Sequence, residues 1–415
     1  MKKLIVSYTQ HAKPFLSMLA LTIIIASCAD HPSSTGDSAP LEPDGKQAQF
    51  SKLNPDMAMD MGYEFDGPVF DITAMPNGNI LVADFATVKE IGKKGVHEVK
   101  SLPLVSGPGA EGEEEITFIN GLEPIGNGNF FAVRSGLDLA VGAALFRATR
   151  GNARLVADIE GFTLGDWASG GSAGQTPAWK SFDCEPPGGY TAGPQTNPYH
   201  LTALSGSEVL IADAAGNSLL HANTNGEIEV VATFGPVVDP ATGEALVLFP
   251  LDENTDCYVE PVPTAVAVGP DGAYYVAELN GVVPANFGGQ PTPDGLASVW
   301  RIEPGLRDVS CPSDQCIKVV TGLNSVIDIE FGPDKQLYVV EYEQNGFLAT
   351  VAPDLGIPLA GGTVKKCDVL ADSCEIIEGA DGGLFLPGAI TFDKWSNLWL
   401  LDNVFSPIIR QIDWQ

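Results

Sequence analysis

An all-β fold, a six-bladed β-propeller with four-stranded antiparallel blades, is what this sequence predicts, and three observations predict it. An alternating apolar run, a tight turn of Gly, Pro, Asn or Asp, and a second apolar run ending on an acidic residue recur along the chain, six times when one degenerate copy is counted. Each copy is followed by two more strand-like runs, and four antiparallel strands per repeat make a propeller blade. No long stretch of helical period follows the N-terminal segment, which argues against folds built on helices.

The copies follow in order. The first runs over 69–75, turns at Pro76-Asn77-Gly78 and ends with 80–84 on Asp84. The degenerate second copy spans 118–125 and 129–134 and places Arg134 where the others have an acid. The third turns at Ser205-Gly206-Ser207 and ends on Asp213, the fourth turns at Gly269-Pro270-Asp271-Gly272 and ends on Glu278, and the fifth turns at Gly332-Pro333-Asp334-Lys335 and ends on Glu341. Proline at the first corner of the last two turns has the φ such a turn needs. The sixth copy turns over 393–397, ends on Asp402 and stops after a third strand within 408–414. Its missing outer strand is expected from 47–53, which would close the ring from both termini and leave no open edge. The propeller is therefore expected to span 47–415.

Ahead of it, Lys2 and Lys3, an apolar stretch over 15–25 and small residues before Cys28 have the order of an export signal. The stretch is shorter than the roughly 20 apolar residues of a membrane span. Ile25-Ala26-Ser27-Cys28 resembles a bacterial lipobox, so 1–27 is expected to be a signal peptide and Cys28 a lipidated anchor. The segment 28–46 has no aromatic residue and reads as a disordered tether. The expected location is the periplasm, the outer membrane or the cell surface of a bacterium, reached through the lipid, with the chain a monomer.

Acidic residues number 53 against 22 basic, a formal charge of −31 that repels phosphate backbones, so nucleic acid is excluded as a partner. Beyond Cys28 six cysteines remain. Cys311 and Cys316 are close in sequence, as are Cys367 and Cys374, and Cys184 and Cys257 are left over; three bridges are expected in an oxidising compartment. Zinc is disfavoured, because no C-x-x-C pair exists and no histidine lies near the close pairs.

Strand alternation puts the ends of all second strands on one face, together with the long insertions near 107–115 and at 161–196, 235–261, 280–297 and 343–359, while the opposite face is expected to hold short turns. Asp213, Glu278, Glu341 and Asp402 are the candidate ligands for a divalent cation, calcium being the ion that takes several oxygens. The alternative is that each acid caps backbone N–H groups at its own strand end. Asp84, Arg134, Asn197, Tyr199 and His200, with Trp167 and Trp179 from the first large insertion, are the candidate ligand-binding residues of that face. Gly170-Gly171-Ser172-Ala173-Gly174 matches G-x-S-x-G but lies in a glycine-rich insertion and not between a strand and a helix, so it is not read as a nucleophile elbow.

The motifs at 197–199, 210–217, 262–264, 268–281, 299–302 and 327–334 closely resemble the ScyD/ScyE family, exported proteins with a six-bladed TolB-like propeller named for cyanobacterial genes associated with the pigment scytonemin. Lys335 stands where that pattern has a turn glycine. The resemblance implies the fold first. The function expected is a binding or scaffold module for a small molecule, glycan or protein. The alternative is a metal-dependent hydrolase or lactonase of the gluconolactonase type, by analogy with rings that hold a divalent cation through such acids.

Overall fold

The computed structural model describes residues 65–103, 105–108, 114–126, 128–135, 142–149, 151–165, 196–250, 256–280, 295–351, 358–379 and 383–414. Blade one consists of β1 (Val69–Ala74), β2 (Ile80–Asp84), β3 (Thr87–Gly92) and β4 (Gly95–Ser101), paired antiparallel in that order. A hairpin, β5 (Ser106–Pro108) and β6 (Glu114–Ile116), leads to blade two, made of β7 (Phe118–Pro124), β8 (Asn129–Ser135), β9 (Ala144–Thr149) and β10 (Ala153–Asp158). A short helix α1 (Ile159–Leu164) follows, its first turn capped by Asp158, which accepts the Gly161 N–H at 2.9 Å.

Blade three is β11 (Pro198–Ala203), β12 (Glu208–Asp213), β13 (Ser218–Asn223) and β14 (Ile228–Phe234). After the hairpin β15 (Val247–Pro250) and β16 (Asp256–Tyr258), blade four begins with β17 (Pro263–Val268), β18 (Tyr274–Glu278) and β19 (Ala297–Ile302). The chain then crosses to blade three, where β20 (Val309–Cys311) pairs parallel with β14, and returns as β21 (Cys316–Leu323), the outer strand of blade four. The expectation of short turns on the face opposite the insertions fails here: the connection 303–315 covers the edge of its neighbour, which removes an open strand edge.

Blade five is β22 (Val326–Phe331), β23 (Leu337–Glu341), β24 (Thr363–Asp368) and β25 (Ser373–Glu378). Blade six is β26 (Ala389–Phe392), β27 (Leu398–Asp402) and β28 (Ile408–Ile412), three strands as the sequence predicts. Each first strand packs on the next in the cycle β1, β7, β11, β17, β22, β26, and β26 meets β1, so the ring is closed with six blades.

Local chemistry sets the repeated corners. In the turn after β17, Asp271 accepts the hydroxyl of Tyr275 at 3.2 Å; in the turn after β22, Asp334 accepts that of Tyr338 at 3.1 Å; and after β26, Asp393 accepts Nε1 of Trp399 at 3.1 Å. Gly272 has φ +81° there, and Lys335 adopts φ +67° at the matching corner of blade five, a backbone region that favours glycine. The tyrosines then reach across to the next blade: Tyr275 meets Phe331 edge-on at 4.8 Å and Tyr338 meets Phe392 at 4.9 Å. The core is distributed between blades; Leu210, Leu219 and Phe234 of blade three, for example, pack with Val276 and Trp300 of blade four.

Cys311–Cys316 and Cys367–Cys374 are disulfide-bonded, the second across β24 and β25. Cys184, the expected partner of Cys257, lies outside the described residues, as do 1–27, Cys28, the tether, the strand donor 47–53, Trp167 and Trp179.

Candidate functional site

The acids ending the second strands sit on one rim, and the structure engages them within their own blades. Asp84 accepts the N–H groups of Asp66 at 2.9 Å and Gly67 at 3.1 Å, just before β1, and pairs with Lys89 of β3 at 2.6 Å. Asp213 accepts Asn197 N–H at 2.7 Å, Gly216 N–H at 3.0 Å and the Thr196 hydroxyl. Glu341 accepts Asn324 N–H and Lys365 Nζ, both at 2.8 Å, and the Thr363 hydroxyl at 2.6 Å. Asp402 accepts Phe385 N–H at 3.0 Å and lies 3.8 Å from Arg410. Each acid thus pins the chain entering its first strand to the exit of its second. A carboxylate suits this because it accepts several charge-assisted bonds at once.

Arg134 inverts the polarity: its guanidinium donates to the carbonyls of Gly142, at 3.1 Å, and Pro103, and covers the Phe146 ring at 4.8 Å. The candidate cation ligands Asp213, Glu278, Glu341 and Asp402 are therefore spread over four blades. Among the described residues no three His, Cys, Asp or Glu side chains are grouped as a metal ion requires. Asn197 is buried as well: its Oδ1 accepts from Asn120 at 2.9 Å and from the Ser135 hydroxyl at 2.7 Å, which ties blade two to blade three.

A second polar constellation lies along the first strands. Several of these strands carry a one-residue register shift near their entry, between Val69 and Ile72, Ile119 and Gly121, Pro198 and His200, Pro263 and Ala265, and Val326 and Asp328. Such a bulge re-aims the residues after it. Side chains beyond it bond to the first strand of the following blade. Asp71 accepts Leu122 N–H at 2.6 Å, Glu123 accepts Ala203 N–H at 3.4 Å, and His200 Nδ1 accepts Val266 N–H at 3.5 Å. Thr264 donates to the Val326 carbonyl at 2.7 Å. Asp328 and Glu330 accept Ile390 N–H at 2.8 Å and Phe392 N–H at 3.2 Å, and the Thr391 hydroxyl accepts Ala74 N–H at 3.0 Å, which completes the circuit of six blades.

This belt gathers four carboxyls and one imidazole into a polar cluster at the axis of the ring. With Nδ1 accepting, the His200 proton resides on Nε2, which faces Asp328 Oδ1 at 3.5 Å. Burial raises the Asp71 carboxyl well above its usual range, and the neighbouring Asp328 adds to this. Burial likewise raises Asp328, with His200 opposing, and pushes Glu123 up to about 8. Glu330 rises well above its usual range through burial, reinforced by Asp328 and Glu123. Burial lowers His200 and raises the Tyr199 hydroxyl, the latter with help from Asp71 and Asp328. Burial therefore favours the neutral form of every acid in the cluster and of the imidazole, and holds Glu123 protonated at neutral pH.

The structure brings Tyr199 and His200 into this group; Asp71, Glu123, Asp328 and Glu330 are additions that sequence reasoning missed. The signal was acids inside apolar strand runs, as in Ile327-Asp328-Ile329-Glu330-Phe331.

The strand order and closed circuit define the class, a six-bladed β-propeller. No protein-family model matches the chain, and no curated protein does. Among solved structures it is similar to a protein of unknown function from Bacteroides thetaiotaomicron, with 11% identity over 85% of this chain and 70% of that one and a TM-score of 0.46. An inactive virginiamycin B lyase from Staphylococcus aureus crystallised with quinupristin gives 12% identity over 86% of each chain and a TM-score of 0.42. A chain of a nidogen/laminin complex gives 11% over 78% of this chain and 85% of that one, also at 0.42. These are likenesses of shape, and the assignment of the fold rests on the strand pairing itself.

Proposed function

We propose that the chain is an exported, lipid-anchored binding propeller of the ScyD/ScyE type, and that its axial cluster of acids receives a positively charged group of the ligand. The observation that carries this is the carboxyl excess along the belt. Thr391 makes the same inter-blade bond with a neutral hydroxyl, so Asp71, Glu123, Asp328 and Glu330 exceed what ring closure needs. Acids whose neutral form burial favours, gathered in one cluster, are the arrangement a cation can draw into ionised form. The net charge of −31 would also steer cations toward the protein. The rim acids support the binding reading over the hydrolase one, since strand entries and basic side chains occupy most of them. Anchoring at Cys28 and ScyD/ScyE membership rest on the lipobox and on the motifs at 197–199 and 268–281.

Calorimetric titration of the mature chain with spermidine, arginine and a neutral oligosaccharide, in two buffers of different ionisation heat, tests the reading. Cation binding with proton release, strengthening as pH rises and lost in the Asp71→Asn/Asp328→Asn double variant, is expected. Cation binding that the double variant leaves intact, or binding of the neutral sugar alone, would refute it.

A further inference from the structure

One blade breaks the rim pattern in two places at once. In blades one, five and six the acid is held by an N–H just ahead of the first strand, from Gly67 and Asn324 two residues before it and Phe385 four before it, and by a basic residue of the third strand, Lys89, Lys365 or Arg410. Those bases stand opposite the second-strand residue two before the acid: Lys89 faces Val82, Lys365 faces Val339 and Arg410 faces Leu400. In blade four the entry residue at the matching place is Pro261, which has no N–H. The third-strand residue opposite Val276 is Trp300. Both holds on Glu278 are therefore missing by sequence.

The consequence is a carboxylate with a 3% exposed side chain whose Oε1 has no well-aligned hydrogen bond, beside an indole whose Nε1 approaches it without good hydrogen-bond geometry. An unbonded buried carboxylate oxygen is an expensive feature that calls for an explanation. Its one ionic contact among the described residues is with Lys318, borrowed from the fourth strand, whose Nζ stands 3.4 Å from Oε1 and 4.8 Å over the Trp300 ring. Burial pushes the Glu278 carboxyl up to about 7, with Lys318 and the nearby Trp300 N–H opposing. These groups line a cavity of about 400 Å³ between blades three and four, whose other walls include Pro236, Val237, Pro312 and Ile317. That volume falls within the range of small-molecule sites. The disulfide Cys311–Cys316 fixes the wall that carries Pro312.

We infer that this inter-blade cavity is a binding site for an organic ammonium ion with an apolar body, whose charged end takes the seat that Lys318 Nζ now fills between Glu278 and Trp300. A carboxylate beside an indole face is the chemistry that holds an ammonium group. The lysine side chain is 28% exposed and can withdraw into water, while the apolar walls receive the body of the ligand. The inference stands apart from the axial cluster and uses none of its residues.

The probe is phenethylammonium chloride, with 2-phenylethanol as its uncharged counterpart, titrated by saturation-transfer NMR at pH 8.5 where Glu278 is ionised. Binding is expected to tighten about tenfold in Lys318→Met, which removes the internal competitor, and to disappear in Glu278→Gln; the alcohol should bind neither form. Trp300→Leu serves as a second variant and should weaken binding at least about tenfold with the fold retained by circular dichroism. Equal affinity in Lys318→Met and the parent, or equal binding of alcohol and ammonium, would overturn the inference. Loss of binding in the Asp71→Asn/Asp328→Asn variant would overturn it too, because the probe would then sit on the axis.

Discussion

Replacing Glu123 by glutamine isolates the energetic consequence of a buried acid in the axial cluster. The carboxyl ionises near 4.5 in a flexible chain and at about 8 in the folded protein, where burial is the dominant cause and the Ala203 N–H opposes it. Between those limits the native state holds one proton more than the unfolded state, so stability falls as pH rises. At about 1.4 kcal/mol for each pH unit, the loss attributable to this one group reaches up to about 5 kcal/mol at pH 8. Glutamine keeps a carbonyl that can accept the Ala203 N–H and carries no ionisable proton. His200, lowered by burial, contributes in the opposite direction as pH rises toward 6.5, and the difference between parent and variant removes it. Urea unfolding followed by tryptophan fluorescence at pH 5, 6, 7 and 8 should give curves that nearly coincide at pH 5 and diverge steadily, with the variant more stable by several kcal/mol at pH 8. Parallel pH dependences in the two proteins, or a parent that gains on the variant, would show that Glu123 is not held protonated.

Other substitutions address the scaffold and the anchor. Gly121→Ala would place a Cβ 2.8 Å from the Tyr199 carbonyl and 3.2 Å from the His200 Cα; since backbone cannot yield, a loss of about 1–3 kcal/mol in urea unfolding is expected. Asp213→Ala strands the donors of Asn197, Gly216 and Thr196, so it should destabilise by about 3–5 kcal/mol, whereas Asp213→Asn should recover part of this. Opening the five-residue separation of Cys311 and Cys316 with a double serine variant should lower stability by about 2 kcal/mol, read by the same unfolding. Metabolic labelling with a fatty acid should mark the parent and not Cys28→Ser; equal labelling of both would remove the anchor from the proposal.

The corners and the strand count were legible because they depend on neighbours in sequence. Gly269-Pro270-Asp271-Gly272 and Gly332-Pro333-Asp334-Lys335 carry their turn geometry and their Asp-to-Tyr bonds within six residues. The two short disulfides were legible for the same reason. The rim acids were legible as a repeated position, and the capping alternative describes what Asp84, Asp213, Glu341 and Asp402 do. The connection 303–315 was not, since its partner β14 lies some 75 residues earlier, and sequence adjacency carries no information about that pairing.

By itself the sequence determined the alternating apolar runs, their turns and the acids at the strand ends, and hence a wheel of six sheets. Which face of each first strand looks toward the axis was decided only in three dimensions. A one-residue bulge reverses every side chain beyond it, and closure of the ring then gathers Asp71, Glu123, His200, Asp328 and Glu330, up to 259 positions apart, about one axis. Likewise, Pro261 and Trp300 are ordinary residues in the chain; the strand register alone shows that together they leave Glu278 without its hold.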